Sequence, residues 1–213
     1  MRAAGSLRGF GEPTDVLQPV TVNVPGLSIR RVGPDLHDEV MHYFDLVAYA
    51  DNPAWSDCYC MERLDPSFEQ HAKAEHRAAR SALLRSARAN GLVAERLGRV
   101  VGWCHAAPKA ELVNLEGPRD ASLGAIVCFV VAPDMRRQGI ATALLRAAIE
   151  HLRARGMTAV EAYPYTGEVT PGRWAYANYR GPLAMYLEAG FEIAEQTPET
   201  CVVRMPLATK ADS

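Results

Sequence analysis

The stretch from Ile126 to Gly156, IVCFVVAPDMRRQGIATALLRAAIEHLRARG, constrains the fold of this chain more than any other. Ile126 to Val131 is continuously apolar and rich in β-branched residues, as in a strand covered on both faces. Pro133 ends it, because proline cannot donate to a ladder. From Ile140 the apolar residues Ile140, Leu144, Ala148, Ile149 and Leu152 recur at helical spacing, and Gly156 falls where a helix C-cap belongs. The turn between strand and helix holds Arg136, Arg137, Gln138 and Gly139. Free backbone N–H groups, the positive end of a helix dipole and two cationic side chains then share one spot, which suits a phosphate. Many αβ units of this shape bind nothing. Neither a G-x-x-x-x-G-K-[ST] run nor a G-x-G-x-x-G run is present to select a nucleotide class.

Composition narrows the field. At 213 residues, 48% hydrophobic and 23% charged, the chain has room for one well-buried domain. A net charge of -2 lacks the basic excess of a nucleic-acid or anionic-membrane binder, so neither partner is expected. No apolar run approaches the roughly 18 residues of a membrane span. The opening MRAAGSLRGFG lacks the apolar core of a secretory signal. Five cysteines, an odd number, suit a reducing compartment, and a cytoplasmic location is expected.

Residues 1–26 are rich in Gly, Pro and polar residues and predict a flexible arm. Residues 27–206 predict a single domain, and 207–213 a tail. Strands are predicted at Leu27–Val32, Leu92–Arg96, Arg99–Ala107, from about Leu123 to Val131, Ala159–Tyr163, Phe191–Glu195 and Thr200–Met205. Helices are predicted from Pro34 to about Ala50, from Ser67 as cap to Asn90, from Ile140, and at Leu183–Ala189. His71 and His76 fall in the charged second helix and are expected to be solvated. Val101, Trp103 and His105 share one face of their strand, and Glu161 is a charge inside an apolar strand. The segment from Ala54 to Asp65 gathers Trp55, Cys58, Tyr59, Cys60 and Met61, as half a metal site or as an aromatic wall. No second Cys/His pair stands at zinc spacing, so no metal is expected. The long loop from Pro164 to Pro182, with Tyr165, Trp174, Tyr176 and Tyr179, is expected to be functional or mobile.

Arg136-x-x-Gly139-x-Ala141 resembles the [QR]-x-x-G-x-[GA] signature of the GNAT superfamily of acyl-CoA-dependent N-acyltransferases. Tyr186-x-x-x-Gly190-Phe191 is similar to that family's second motif, and the order of elements matches as well. The resemblance implies an α/β fold of the α+β kind, with a mixed, mostly antiparallel sheet flanked by about four helices. It implies acetyl-CoA as co-substrate, the backbone of Phe129, Val130 and Val131 holding the pantetheine arm, and the amides of Arg137, Gln138, Gly139, Ile140, Ala141 and Thr142 holding the pyrophosphate. Arg136 and Arg137 would add charge. Tyr186 matches the tyrosine that protonates the departing thiolate, and Asn178 lies one residue off the family's pantetheine-contacting asparagine. Family members often use a carboxylate base, yet Ala125 to Val131 has no acid, which leaves Glu161 and His105 as candidates beside their packing roles. The implied reaction is direct attack by a primary amine in a ternary complex. Trp55, Tyr59, Tyr165 and Trp174 suggest a small acceptor, and the chain is expected to act as a monomer or homodimer. The alternative is a GNAT-fold acyl-CoA sensor or structural protein without turnover.

Overall fold

The computed structural model of the chain describes residues 24–86, 88–115, 117–168, 170 and 178–207. Seven strands form one sheet: β1 (Leu27–Arg31), β2 (Leu92–Arg96), β3 (Arg99–Pro108), β4 (Leu123–Val131), β5 (Ala159–Ala162), β6 (Glu192–Gln196) and β7 (Cys201–Pro206). They lie in the order β1-β2-β3-β4-β5-β7-β6, and only β4 and β5 run parallel. Four α-helices accompany them among the described residues: α1 (His37–His42), α2 (Lys73–Arg85), α3 (Ile140–Ala154) and α4 (Leu183–Glu188). The mixed, mostly antiparallel sheet is the one the sequence led us to expect. No described helix is long and apolar enough to cross a membrane.

Small residues set where the helices land. A Cβ on Gly102 would meet Ile140 and Leu144 at 3.1 Å, and one on Gly124 would meet Leu152 at 2.8 Å, so α3 lies close against this face of β3 and β4. Trp103, the next residue along, points to the opposite face. There it is fully buried against Phe44, with ring centroids 5.2 Å apart. Gly91 is required by the same indole, which lies 2.4 Å from where its Cβ would be. The β2–β3 turn puts Leu97 and Gly98 at φ 53° and 75°, the two left-handed residues of a type I′ hairpin.

Two predicted helices are reshaped. The first begins as a 3-10 turn at Pro34–Leu36 and widens after α1 into a π turn at Tyr43–Val47, where the Ala48 N–H reaches the Tyr43 carbonyl at 2.8 Å. The second spans only Lys73–Arg85, because a 3-10 turn at Phe68–Gln70 and the extended His71 precede it. Its N-cap is Ala72 rather than Ser67, and the Glu75 carboxylate accepts the Ala72 N–H at 2.8 Å. His76 is buried at 2% exposure, contrary to the expectation of a solvated side chain. It shares the buried stripe of α2 with Arg80 and Leu84, spaced four residues apart.

The consequence for function lies at the sheet centre. β4 pairs with β5 only as far as Ile126 with Ala162, and β4 runs on to Val131 after β5 has ended. Past Ile126 the edge of β4 on that side has no strand beside it among the described residues.

Candidate active site

The turn after β4 creates the first part of the site. Arg137 and Gly139 take left-handed backbone at φ 59° and 80°, and Gly139 is the N-cap of α3. No side chain caps this end among the described residues. The Ala143 N–H is the first to find a carbonyl of the turn, that of Gly139 at 3.0 Å, so the N–H groups of Ile140, Ala141 and Thr142 have no intrahelical acceptor. They open on a cavity of about 320 Å³ lined by Arg137, Gly139, Ala141 and Thr142 at one end and by Phe129, Val131, Asn178 and Tyr179 along its length. Uncapped amides at a helix start attract an anion of diphosphate type. Of the expected arm, residues 24–26 are described, and a Val24 methyl sits 3.4 Å from where a Cβ on Gly139 would lie.

Not every residue of the predicted cradle faces this cavity. The Val130 carbonyl accepts the Tyr43 hydroxyl at 2.8 Å. Successive residues of a strand direct their backbone groups to opposite edges, and the Ala132 N–H bonds toward β3, at the Val101 carbonyl. Val130 therefore shares the β3 side, and Phe129 and Val131 present their groups to the gap. The Val130 backbone groups therefore lie on the β3 side of the strand rather than at the gap. Arg136 donates from Nε to the Val131 carbonyl at 3.1 Å and from Nη2 to Asp51 at 3.0 Å, fastening the turn to the chain after α1. Gln138 accepts from Arg96 at 2.8 Å and points toward the hairpin.

The second motif has a structural cause. Gly190, at φ 96°, donates to the Leu187 carbonyl at 3.0 Å, and Phe191 donates to the Tyr186 carbonyl at 3.1 Å, which together form a Schellman end to α4. The accompanying apolar contact is Tyr186 on Phe191, edge to face at 5.4 Å. Tyr186 is fully buried 6.3 Å from the Phe129 ring, and its hydroxyl donates to the Arg180 carbonyl at 2.7 Å. Burial raises its hydroxyl pKa well above the ordinary value.

Tyr179 also lines a small chamber with about 30 Å³ of room, enough for one or two water-sized groups. Trp55, Cys58, Cys60, Glu62, Val127, Cys128, Tyr179 and Arg180 line it. Tyr59 and Cys60 both adopt left-handed backbone, at φ 43° and 56°. This costly conformation is held by the fully buried Arg80, which donates to their carbonyls at 2.9 and 2.8 Å. Arg80 also lies 5.0 Å over the Trp103 ring. Cys60 Sγ is 3.3 Å from His105 Nδ1. Burial alone would raise the Cys60 pKa, but hydrogen bonds from Cys128 and His105 and the Arg80 charge outweigh it and hold that thiol well below its usual value. His105 is fully buried and meets the chamber only through Cys60.

Glu161 opens instead on a polar basin of about 350 Å³, which shares Arg63 and Arg180 with the chamber. It is 1% exposed, bonded to Lys109 at 2.7 Å, Tyr163 at 2.8 Å and Arg204 Nε at 3.1 Å. Burial opposes its charge, yet these three partners hold its pKa below the ordinary carboxylate value. Of the four predicted acceptor-side aromatics, Trp55 lines the chamber. Tyr59 turns away into the core with its hydroxyl on Asp45 at 2.7 Å, and Tyr165 bonds the Glu168 carbonyl at 3.1 Å. Trp174 lies outside the described residues. The sequence did not single out Glu62 or Tyr179 as lining residues, although Tyr179 stands among the aromatics of the long loop expected to be functional or mobile.

A strand edge that no described strand pairs lies beside an uncapped helix start, and the comparisons give the family to which this arrangement belongs. The model of the Acetyltransferase (GNAT) family matches residues 53–176, more than half of the chain, and the chain belongs to that family. Its members are acyl-CoA-dependent acetyltransferases. Among solved structures, the chain is similar to an N-acetyltransferase from Staphylococcus aureus Mu50 at 14% identity, covering 85% of this chain and 99% of that one with a TM-score of 0.53. The GNAT domain of S. lividans PAT is 16% identical, with 85% and 90% covered and a TM-score of 0.52. A PaiA N-acetyltransferase from Thermoplasma acidophilum, solved in complex with coenzyme A, is 12% identical, with 85% and 99% covered and a TM-score of 0.50. At these identities the likeness is one of fold. No curated protein matches the sequence.

Proposed function

We propose that the chain transfers the acetyl group of acetyl-CoA to the primary amine of a small acceptor, by direct attack in a ternary complex. One observation supports this reading: the edge of β4 that no described strand pairs and the uncapped start of α3 open on the same cavity, and Tyr179 lines both that cavity and a chamber of about 30 Å³. Acetyl-CoA supplies the activated acetyl group, and the remaining tasks fall to this chain. The N–H groups of Gly139 to Thr142 and the Arg137 charge hold the diphosphate. Phe129 and Val131 bond the pantetheine arm as an added strand, with Asn178 on the facing wall. The chamber's size favours acetyl over longer acyl groups.

Tyr186 protonates the departing thiolate, since its buried hydroxyl keeps its proton at neutral pH. Glu62, the carboxylate on the chamber wall, is the proton acceptor for the attacking amine, with Arg63 3.3 Å away as its ion-pair partner. Glu161 is better suited to holding Lys109 and Arg204 at the basin, because two cations and the Tyr163 hydroxyl already occupy its buried oxygens. His105 is bonded to Cys60 behind the chamber wall and does not act as base in this reading.

Calorimetry with coenzyme A, followed by thiol release across a panel of small amines, tests the proposal. Binding at micromolar concentration and amine-dependent thiol release are expected. Absence of binding overturns it. Binding without release from any amine replaces the enzyme with an acyl-CoA sensor.

A further inference from the structure

Asp65, His71 and His76 converge where the segment that walls the chamber meets α2. One ligand atom from each lies within 4.8 Å of the other two. Asp65 Oδ1 accepts the Ser67 N–H at 2.9 Å, which leaves Oδ2 facing both rings, 2.6 Å from His71 Nδ1 and 3.8 Å from His76 Nε2. His76 Nδ1 sits 2.9 Å from the Asp57 carbonyl. A carbonyl only accepts, so Nδ1 carries a proton, and Nε2 is the ring atom directed at the carboxylate. That ring is stacked on Phe68, with centroids 4.3 Å apart and planes at 10°. It is 2% exposed, and Nε2 has no hydrogen-bond partner among the described residues. A buried ring nitrogen without a hydrogen bond, directed at a carboxylate 3.8 Å away, is a polar atom that a cation held between the two would satisfy.

We propose that Asp65, His71 and His76 bind a divalent cation of the zinc class, with a fourth position open to water on the His71 side. Imidazole nitrogen and carboxylate oxygen are ordinary zinc ligands, and around a tetrahedral zinc they sit about 3.3 Å apart. The two separations on Asp65 Oδ2 bracket that value and the third lies within 4.8 Å, so adjustments of up to about 1.5 Å form the site. The Asp57 carbonyl behind His76 and the Ser67 amide behind Asp65 are the outer supports that fix such ligands. His71, with its side chain 40% exposed, gives the ion its way in, and Asp65 and His76 form the floor. The role is structural. Asp65 closes the segment that carries Cys58, Cys60 and Glu62, and His76 belongs to α2, so coordination fastens the chamber wall to the helix. Among the described residues the thiols join no such three-ligand group.

The test uses the full chain without an affinity tag, stripped of metal by a chelator, titrated with zinc by calorimetry and followed by thermal melting, with magnesium as control. One zinc per chain is expected, with a Kd of about 10 μM or tighter and no magnesium binding. A hundredfold excess over Kd should raise Tm by roughly 5–10 °C. His71→Ala, at an exposed position, should weaken zinc at least about tenfold and abolish the rise in Tm. Asp65→Asn should do the same, and the cobalt adduct should lack a thiolate charge-transfer band. The proposal fails if no stoichiometric zinc binds, or if both variants bind it as tightly as the parent. A thiolate band in the cobalt adduct also overturns it, by placing the metal on the cysteines.

Discussion

At the scale of single residues, the site depends on backbone conformations that few side chains accept. Gly139 is the sharpest case, since its φ of 80° places the free amides of α3 and is strained for any residue with a Cβ. Gly139→Val should leave the fold intact and weaken coenzyme A binding at least about tenfold, measured by calorimetry. Tyr186→Phe keeps the Schellman contact with Phe191 and removes only a proton, so turnover should fall about a hundredfold with coenzyme affinity unchanged. Glu62→Gln should lower turnover to a similar extent and shift the acid limb of the rate profile. If Tyr186→Phe leaves turnover untouched, that tyrosine serves packing alone. Gly139 and Tyr186 were legible because both sit in motifs. Glu62 and Tyr179 were not, because a side chain in a loop takes its direction from contacts that no local pattern encodes.

At the scale of elements, periodicity placed every strand and the long helix α3, whose apolar stripe is buried against β3 and β4. It overextended α2, because the polar run before Lys73 fits a helix as well as the 3-10 turn and extended residue found there. It also gave no sign that α2 holds the chamber. Arg80 looks like one more surface charge in the sequence, yet it is fully buried and bonds the two carbonyls of a left-handed pair. Arg80→Met should cost about 2–4 kcal/mol, since both acceptors lose a partner without gaining water. Urea denaturation measures that loss. The same variant removes a charge that helps hold the Cys60 pKa down, so that thiol should react more slowly with alkylating reagents at neutral pH.

At the scale of the whole molecule, buried ionisable groups link stability to pH. His151 is 5% exposed on α3, and burial, aided by the charges of Arg31 and Arg155, lowers its pKa to about 4. In the unfolded chain the same ring titrates near 6.5, so the unfolded state binds the proton first as pH falls. The stabilisation is complete above that value and is lost progressively down to about pH 4. Between pH 7 and pH 5 the loss should be about 2 kcal/mol, and His151→Gln should remove that part of the slope in urea melts. An unchanged slope in the variant would assign the pH dependence to other groups.

The sequence by itself determined the strands and the strand–turn–helix, because apolar period, proline, glycine and capping chemistry are local and leave their marks within a few residues of where they act, and its two short motifs carried the resemblance that implied the sheet and the family. Tertiary structure alone decided which edge of β4 lies open, that Val130 faces β3 and that Glu161 is neutralised by Lys109 and Arg204. It also decided that Asp65, His71 and His76 share one point. Those are relations between residues far apart along the chain, and they exist only once packing has chosen which faces meet.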